Sequence, residues 1–414
     1  MQSSPSNPNP NKDPLTFTCL LLTSLLTLTL LLITFISSSS TAPTPTHPPY
    51  PTLPSPLPPP PSLAYLLSGS SGDSSRLLRL LLSVYHPNNL YLLHLDLLAD
   101  QAQRDSLARS LRSVPALRSA DNVHVLGRAD FAYRSGSSAL SATLHAAAVL
   151  LRIGVRDWDW FVNLDAGDYP LVTQDDLLHV FSFLPKDLNF VQHSSYIGWR
   201  ESRRLKPIIV DPGLYDTSKA EMFYATQKRD LPNAFKLFTG FPSVVLSRKL
   251  IEHSILGTDN LPRILLMYYA NTASSHKNYF QTLLCNTPEF NRTILNHHLH
   301  YATWDTPPRQ EPRVLGLDDL KNMTESGAAF GTRFSRDDTK VLDRIDLEVL
   351  NRRPGNVVPG GWCLGGGRED PCTVWGNADI LRPGPGARNL ARAIVQMLSS
   401  DGFHSNRCIW DASM

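Results

Sequence analysis

Leu63-Ala-Tyr-Leu-Leu-Ser-Gly-Ser-Ser-Gly-Asp73 is a short apolar run that breaks into a glycine and serine turn, and a helical pattern over Ser75 to Tyr85 follows it. The same succession recurs through the first half of the chain: Leu90 to Leu95 then Gln101 to Leu111, Val123 to Leu126 then Ser138 to Arg152, and finally Trp160 to Leu164. Strand, helix, strand at this spacing predicts parallel βαβ units, an α/β fold whose sheet is flanked by helices. In such sheets ligands bind beyond the carboxyl ends of the strands, so Ser68 to Asp73, Asp96 and Asp165 to Asp168 are the expected site loops.

The second half carries shorter elements between longer irregular stretches: a strand over Ser243 to Leu246 and helices over Arg248 to His253, Leu261 to Tyr269 and Tyr279 to Leu284. These wrap the same sheet rather than build a separate domain. Beyond Pro354 the chain is rich in glycine and proline through Gly386 and ends in a helix over Asn389 to Ser399, a stapled C-terminal cover.

Ahead of this domain, assigned to residues 63–414, lie three segments of different character. Leu15 to Ile36 is uncharged and, at about 22 residues, long enough to cross a bilayer, so 15–36 reads as a transmembrane anchor. Lys12 precedes it and no cation follows until Arg76, which favours a cytosolic tail over 1–14 and a luminal domain. Residues 37–62 are Ser, Thr and Pro with almost no large apolar side chains, a composition that stays extended and solvated as a stem. Of the 5 cysteines, Cys19 falls in the span, leaving Cys285, Cys363, Cys372 and Cys408 for disulfides in an oxidising compartment, with the close pair Cys363 and Cys372 the first candidate. Asn291-Arg-Thr293 and Asn322-Met-Thr324 are glycosylation acceptors in a luminal domain. A formal net charge of +2 excludes a strongly electrostatic partner such as nucleic acid.

The motifs admit both chemical and structural readings. Leu67 to Asp73 turns its backbone amides and a helix start toward an anion, or is a plain turn. Asp96, at a strand end, suits a nucleotide base or ribose, or caps the next helix. In Asp157-Trp-Asp-Trp-Phe-Val-Asn-Leu-Asp-Ala-Gly-Asp-Tyr-Pro170 an apolar strand emerges into Asp165 and Asp168, a pair that resembles metal ligands and equally resembles turn caps. Thr173 and Asp176 form a capping pair, and Ser247 caps the helix after it. The imidazoles of Asn296-His-His-Leu-His300 lack metal-ligand spacing and read as packing groups, and no C-x-x-C pair offers zinc a site. Arg309 and Arg333, in polar loops, suit a diphosphate.

Taken together, Asp157 to Pro170, Leu171-Val-Thr-Gln-Asp-Asp176, Val245-Leu-Ser-Arg248, Asp259-Asn-Leu-Pro262, Asn296 to Trp304, Pro307-Pro-Arg309 and Ser326-Gly-Ala-Ala-Phe330 resemble, in order, the plant branch of the core-2/I-branching glycosyltransferases, glycosyltransferase family 14. The resemblance implies a type II Golgi membrane enzyme with a GT-A-like mixed sheet, which inverts the anomeric carbon of a UDP-sugar and needs no bound metal or other cofactor. Plant relatives include β-glucuronosyltransferases that act on the galactan chains of arabinogalactan proteins, so the implied partners are a UDP-sugar and a glycoprotein glycan. It places the nucleotide among Ser68, Gly69, Asp73 and Asp96, the diphosphate at Arg309 and Arg333, the sugar near Asp168 and the acceptor at Trp304.

Inversion by direct displacement requires a group that takes the acceptor hydroxyl's proton. In the plant relatives a Ser-Pro-Glu-Gly-Tyr-Phe segment supplies it; here the matching segment is Ser275-His-Lys-Asn-Tyr-Phe280, with Lys277 in place of the glutamate. An ammonium accepts no proton until its pKa falls from about 10.4 toward neutrality, at a cost of roughly 4 kcal/mol. Asn163-Leu-Asp-Ala-Gly-Asp168 also departs from the relatives' Asn-Leu-Ser-Ala-Ser-Asp, adding the Asp165 carboxylate. The expected function is transfer of glucuronic acid, with xylosyl or N-acetylglucosaminyl donors as variants; the alternative is a catalytically impaired glycan- or partner-binding protein on the same fold.

Overall fold

Leu63–Gly69 (β1) lies at the centre of the main sheet, with Leu90–Leu95 (β2) and then Val123–Val125 (β3) on one side and Trp160–Asp165 (β4) on the other, all parallel. The short strands that follow are Asp168–Pro170 (β5), Asn189–Phe190 (β6), His193–Ser194 (β7), Pro207–Val210 (β8), Phe223–Lys228 (β9), Thr239–Gly240 (β10), Val245–Ser247 (β11), Ile294–Leu295 (β12), His300–Tyr301 (β13) and Phe330–Thr332 (β14). Among them β11 pairs antiparallel with β4 and with β6, and β12 runs parallel to β6, giving the order β12-β6-β11-β4-β1-β2-β3. The alternation predicts the parallel strands and flanking helices, and the antiparallel β11 makes the sheet mixed, as the resemblance implies.

This computed structural model describes residues 58–153, 157–215, 221–307, 309–366, 370–399 and 407–408. The tail over 1–14, the span over 15–36 with Cys19, and the stem through residue 57 lie outside the described residues. Among the described residues no helix is long and apolar enough to cross a membrane.

The near-continuous apolar run of β1 follows from burial on both faces. Its side chains alternate between two cores: Leu63, Tyr65 and Leu67 join one, with Leu77, Leu80 and Leu81 of helix Ser74–Ser83 and Leu390 and Ile394 of helix Pro385–Leu398. Ala64 and Leu66 face the other, with Ala146, Ala147 and Leu150 of helix Ser138–Ile153 and Leu283 and Leu284 of helix Tyr279–Asn286. The second half of the chain therefore covers the same sheet.

Local chemistry sets the boundaries. Thr173 and Asp176 form the reciprocal capping box of helix Gln174–Phe181, and the Ser247 hydroxyl accepts from the Leu250 amide. The cap before helix Gln101–Ser113 is Asp100, not Asp96: its carboxylate accepts from the Gln103 amide at 2.8 Å. The strand expected over Ser243 to Leu246 begins at Val245, because the Asn163 side chain takes the Val244 amide at 2.8 Å and donates to the Pro242 carbonyl at 3.2 Å. The last helix starts at Pro385, where proline suits a first-turn position that needs no amide. Cys363 is joined to Cys372 and Cys285 to Cys408.

A small sheet of β13, β14 and β5 sets Phe330 opposite Pro170 and Thr332 opposite Asp168. A buried polar network holds β5 from behind. Tyr169 donates to Asp346, and Asp346 accepts from Arg352 Nε at 2.9 Å and Nη2 at 2.6 Å and from Arg79 Nη2 at 2.7 Å. Removing one partner of such a network strands the rest without water. Asp346→Ala is accordingly expected to lower the unfolding free energy by about 3–5 kcal/mol, read from urea denaturation of the purified chain. A loss within about 0.5 kcal/mol, the scale of surface substitutions, would show the network to be dispensable.

Candidate active site

The carboxyl ends of β1, β2, β3 and β4 open into a cleft of about 1090 Å³. Its wall includes Ser68, Gly69, Asp73, Asp96, Asp168, Lys277, Trp304 and Arg333 of the residues singled out by sequence, and also Arg76, Arg134, Glu201, Arg204, Phe241, Glu311 and Arg336. Arg309 is not among the lining residues. Its side chain is 80% exposed and pairs with Asp305 at 3.3 Å.

At the end of β1, Gly69 allows close passage of the next helix: a Cβ there would stand 2.9 Å from the Cβ of Asp73. Asp73 accepts from the Ser70 amide at 3.0 Å, from Arg76 at 3.2 Å and from Arg336 at 2.9 Å, so this carboxylate fixes the loop and gathers two guanidinium groups at one edge of the cleft. Arg333 pairs with Glu311 nearby. Asp96 accepts from the Ser70 hydroxyl at 3.0 Å and the Leu98 amide at 3.1 Å, while burial lifts its pKa above the ordinary value.

Beyond β4 the chain turns sharply. The Asp165 amide donates to Asp168 at 2.8 Å, the Asp165 carboxylate accepts from the Gly167 amide at 3.0 Å, and Arg134 pairs with Asp165. Asp168 is buried, and burial, followed by the charge of Asp165, pushes its pKa up to about 7. His300 Nε2 stands 3.8 Å from it, and burial holds that imidazole neutral with a pKa of about 4.

Lys277 lines the cleft from a turn docked by its backbone. Ser274 donates to the Ser135 carbonyl at 3.0 Å and Ser275 to the Gly136 carbonyl at 3.3 Å, which brings the Arg134 loop alongside. That loop is itself anchored by Asp211, which accepts from the Ser137 and Ser138 amides at 2.7 and 2.8 Å. Gly136 leaves room for this carboxylate; a Cβ at that position would meet it at 1.9 Å. Burial, then the charges of Arg204 and Arg134, draw the Lys277 pKa below the ordinary lysine value.

Near β13, His298 stacks on Phe241 at 4.2 Å between centroids, and Phe241 meets Trp304 edge-on at 6.4 Å. A group formed by His193, Cys285 and Cys408 brings its ligand atoms within 4.8 Å of one another. Its sulfurs are joined in a disulfide and offer no thiolate. Of the two Asn-x-Thr triplets, Asn322 is exposed in helix Leu320–Glu325, and Asn291 is half-buried at the end of helix Pro288–Asn291.

Arg134, Arg204 and Glu311 were invisible to motif reading because nothing local distinguishes them from solvated residues. The loop after β3 carries one usable signal: it leaves the carboxyl end of a parallel strand, as do the loops holding Asp73, Asp96 and Asp168.

Residues 63–324 match the family described as Core-2/I-Branching enzyme. The chain is 50% identical to the Beta-glucuronosyltransferase GlcAT14A of Arabidopsis thaliana over 83% of its own length and 77% of that protein's. It is 43% identical to the Beta-glucuronosyltransferase GlcAT14C of the same plant, covering 83% and 84%. Of solved structures, mouse Xyloside xylosyltransferase 1 aligns with a TM-score of 0.32 and 13% identity over 65% of this chain and 97% of that one. With the family matched over most of the folded domain and half of its residues shared with one member, the chain belongs to the Core-2/I-branching enzymes and is a glycosyltransferase.

Proposed function

We propose that the chain transfers glucuronic acid, with inversion, from UDP-glucuronic acid to a galactan-type glycan of a secreted glycoprotein, as a type II membrane enzyme of the Golgi. The observation that carries this reading is the 50% identity to a β-glucuronosyltransferase across 83% of the chain. The cleft supports it in kind. Arg76 and Arg336 meet at Asp73 and Arg333 lies with Arg76 beside the Gly167 turn, where guanidinium forks suit a diphosphate. Asp96 accepts hydrogen bonds at the neighbouring strand end, as a partner for nucleoside hydroxyls must. The uncharged run over Leu15 to Ile36 and the Ser/Thr/Pro stem support the membrane address.

In this reading Asp168 takes the acceptor's proton. A carboxyl whose pKa is pushed up to about 7 is matched to a near-neutral lumen, whereas Lys277 is a cation in the position that the resemblance gives to a carboxylate. No metal is required: Asp165 is engaged by Arg134 and the Gly167 amide and Asp168 by the Asp165 amide, and cations stand ready for the leaving diphosphate. Trp304 and Phe241 offer apolar faces on which an acceptor sugar ring can lie.

The detergent-solubilised full chain, given UDP-glucuronic acid, UDP-xylose or UDP-N-acetylglucosamine with a β-galactan acceptor, is expected to transfer glucuronic acid and to continue in EDTA. Transfer from another donor alone, or loss of activity in EDTA restored by a divalent cation, would overturn the corresponding part.

Asp168 supplies a second test. Because only its ionised form accepts a proton, kcat/KM should rise with pH through about 7, and Asp168→Asn should lower kcat by about 10²- to 10⁴-fold while UDP affinity stays. Stability has the opposite slope. The folded pKa lies above the unfolded value of about 3.9, so the proton-linked stabilisation is complete below that value and is lost as pH rises through about 7. Wild type should therefore lose stability relative to Asp168→Asn between those limits, measured by urea denaturation; parallel curves would exclude the raised pKa.

A further inference from the structure

The cations on the cleft wall are Arg76, Arg134, Arg204, Lys277, Arg333 and Arg336. Four are matched by carboxylates: Arg76 and Arg336 by Asp73, Arg134 by Asp165 and Arg333 by Glu311. Arg204 and Lys277 make no ion pair among the described residues. Arg204 donates from Nη2 to the Thr239 hydroxyl at 3.2 Å, and its Nε is buried without a hydrogen-bond partner.

These two cations are held on one side of the cleft. The Asn278 side chain donates to the Phe238 carbonyl at 3.1 Å, which sets the Lys277 turn beside Thr239 and so beside Arg204. Each is lowered in pKa, by burial first in both cases and for Lys277 next by the charge of Arg204, while Glu201 offsets Arg204 and Glu311 offsets Lys277 in part. Two like charges on a partly desolvated wall repel, and an anion seated between them removes that cost.

Position along the cleft indicates which anion. The Gly167 turn abuts Arg333 and Arg76, with a Cβ at Gly167 falling 3.6 and 3.9 Å from them. From that turn Asp165 reaches Arg134, and the Arg134 loop is bonded to the Lys277 turn. A ligand whose diphosphate lies against Arg76, Arg333 and Arg336 thus carries its sugar past Asp165 toward Arg204 and Lys277. A uronic acid is the sugar that presents a carboxylate at its far side.

We propose that Arg204 and Lys277 form a carboxylate-binding subsite for the donor sugar, and that it selects a nucleotide-linked uronate over the neutral hexose of the same shape. This rests on the glucuronosyl-donor reading and assigns two residues to it. Guanidinium and ammonium would grip the two carboxylate oxygens by charge-assisted bonds, Lys277 acting as a specificity residue and not as the proton acceptor.

The test is calorimetric binding of UDP, UDP-glucose and UDP-glucuronic acid to the full chain, which needs no turnover. Wild type is expected to bind UDP-glucuronic acid roughly 10- to 100-fold more tightly than UDP-glucose. Lys277→Gln and Arg204→Gln should each bring the two affinities together with UDP binding unchanged, and Lys277→Arg should keep the preference. Wild type with no preference would overturn the subsite and count against a glucuronosyl donor. A preference that survives in both single variants and in the double variant would overturn the subsite alone and leave the donor reading standing. If the variants lose affinity only for an acidic glycan, the pair serves the acceptor and the proposal is wrong. A variant that has lost UDP binding is read as misfolded, and Lys277→Met then takes its place.

Discussion

The cleft exists because β1 has parallel neighbours on both sides. A strand buried on both faces must satisfy its amides and carbonyls within the sheet, and the pairing places Ser68 opposite both His94 and Asp165. Three strand ends therefore finish at one level. Parallel strands also require every connection to leave at that end and return at the other, so the loops carrying Asp73, Asp96 and Asp168 crowd together without any one being specialised to do so. A one-residue slip of β1 would exchange Tyr65 and Leu66 between the two cores, and this penalty fixes the register and with it the cleft.

On that frame the charges are arranged in two ways. Asp73 and Glu311 hold guanidinium groups that would otherwise repel each other across a narrow wall, and they keep those groups extended and oriented before a ligand arrives. An incoming diphosphate competes for donors already in place, which reduces the ordering cost of binding. Asp168 is treated differently. It has the Thr332 side chain, a backbone amide and a neutral imidazole beside it, and the Arg134 guanidinium is directed at Asp165, so burial dominates and the proton stays on to near neutrality. Two carboxylates three residues apart are thus separated in role by who reaches them first.

Much of this was legible from the residues because it depends on neighbours in sequence. The βαβ alternation, the Thr173 to Asp176 box and the packing character of His298 all rest on spacings of a few residues. What stayed hidden depends on tertiary contact. Asp96 and Asp100 are equally plausible caps by composition, and the Ser70 hydroxyl, 26 residues away, and the Leu98 amide draw Asp96 aside. Arg309 and Arg336 are both loop arginines; Arg336 reaches the cleft because Asp73, 263 residues earlier, faces it, whereas Arg309 finds Asp305 in its own loop. The network around Asp346 joins Tyr169, Arg79 and Arg352, three segments with no pattern in common.

The substitution at Lys277 then has a physical context. Reversing a charge in a cleft usually invites a compensating partner, yet the nearest charged side chains here include Arg204 and Arg134, which make the ammonium less favourable rather than more. Arg134 is tied to Asp165, and Glu311, the acidic group within electrostatic reach, is tied to Arg333. Among the described residues Lys277 therefore makes no ion pair, and Glu311 offsets its charge only in part. A group maintained at such a cost in the wall of a binding cleft is most simply offset by the ligand, and the sign of the missing charge identifies that ligand as an anion.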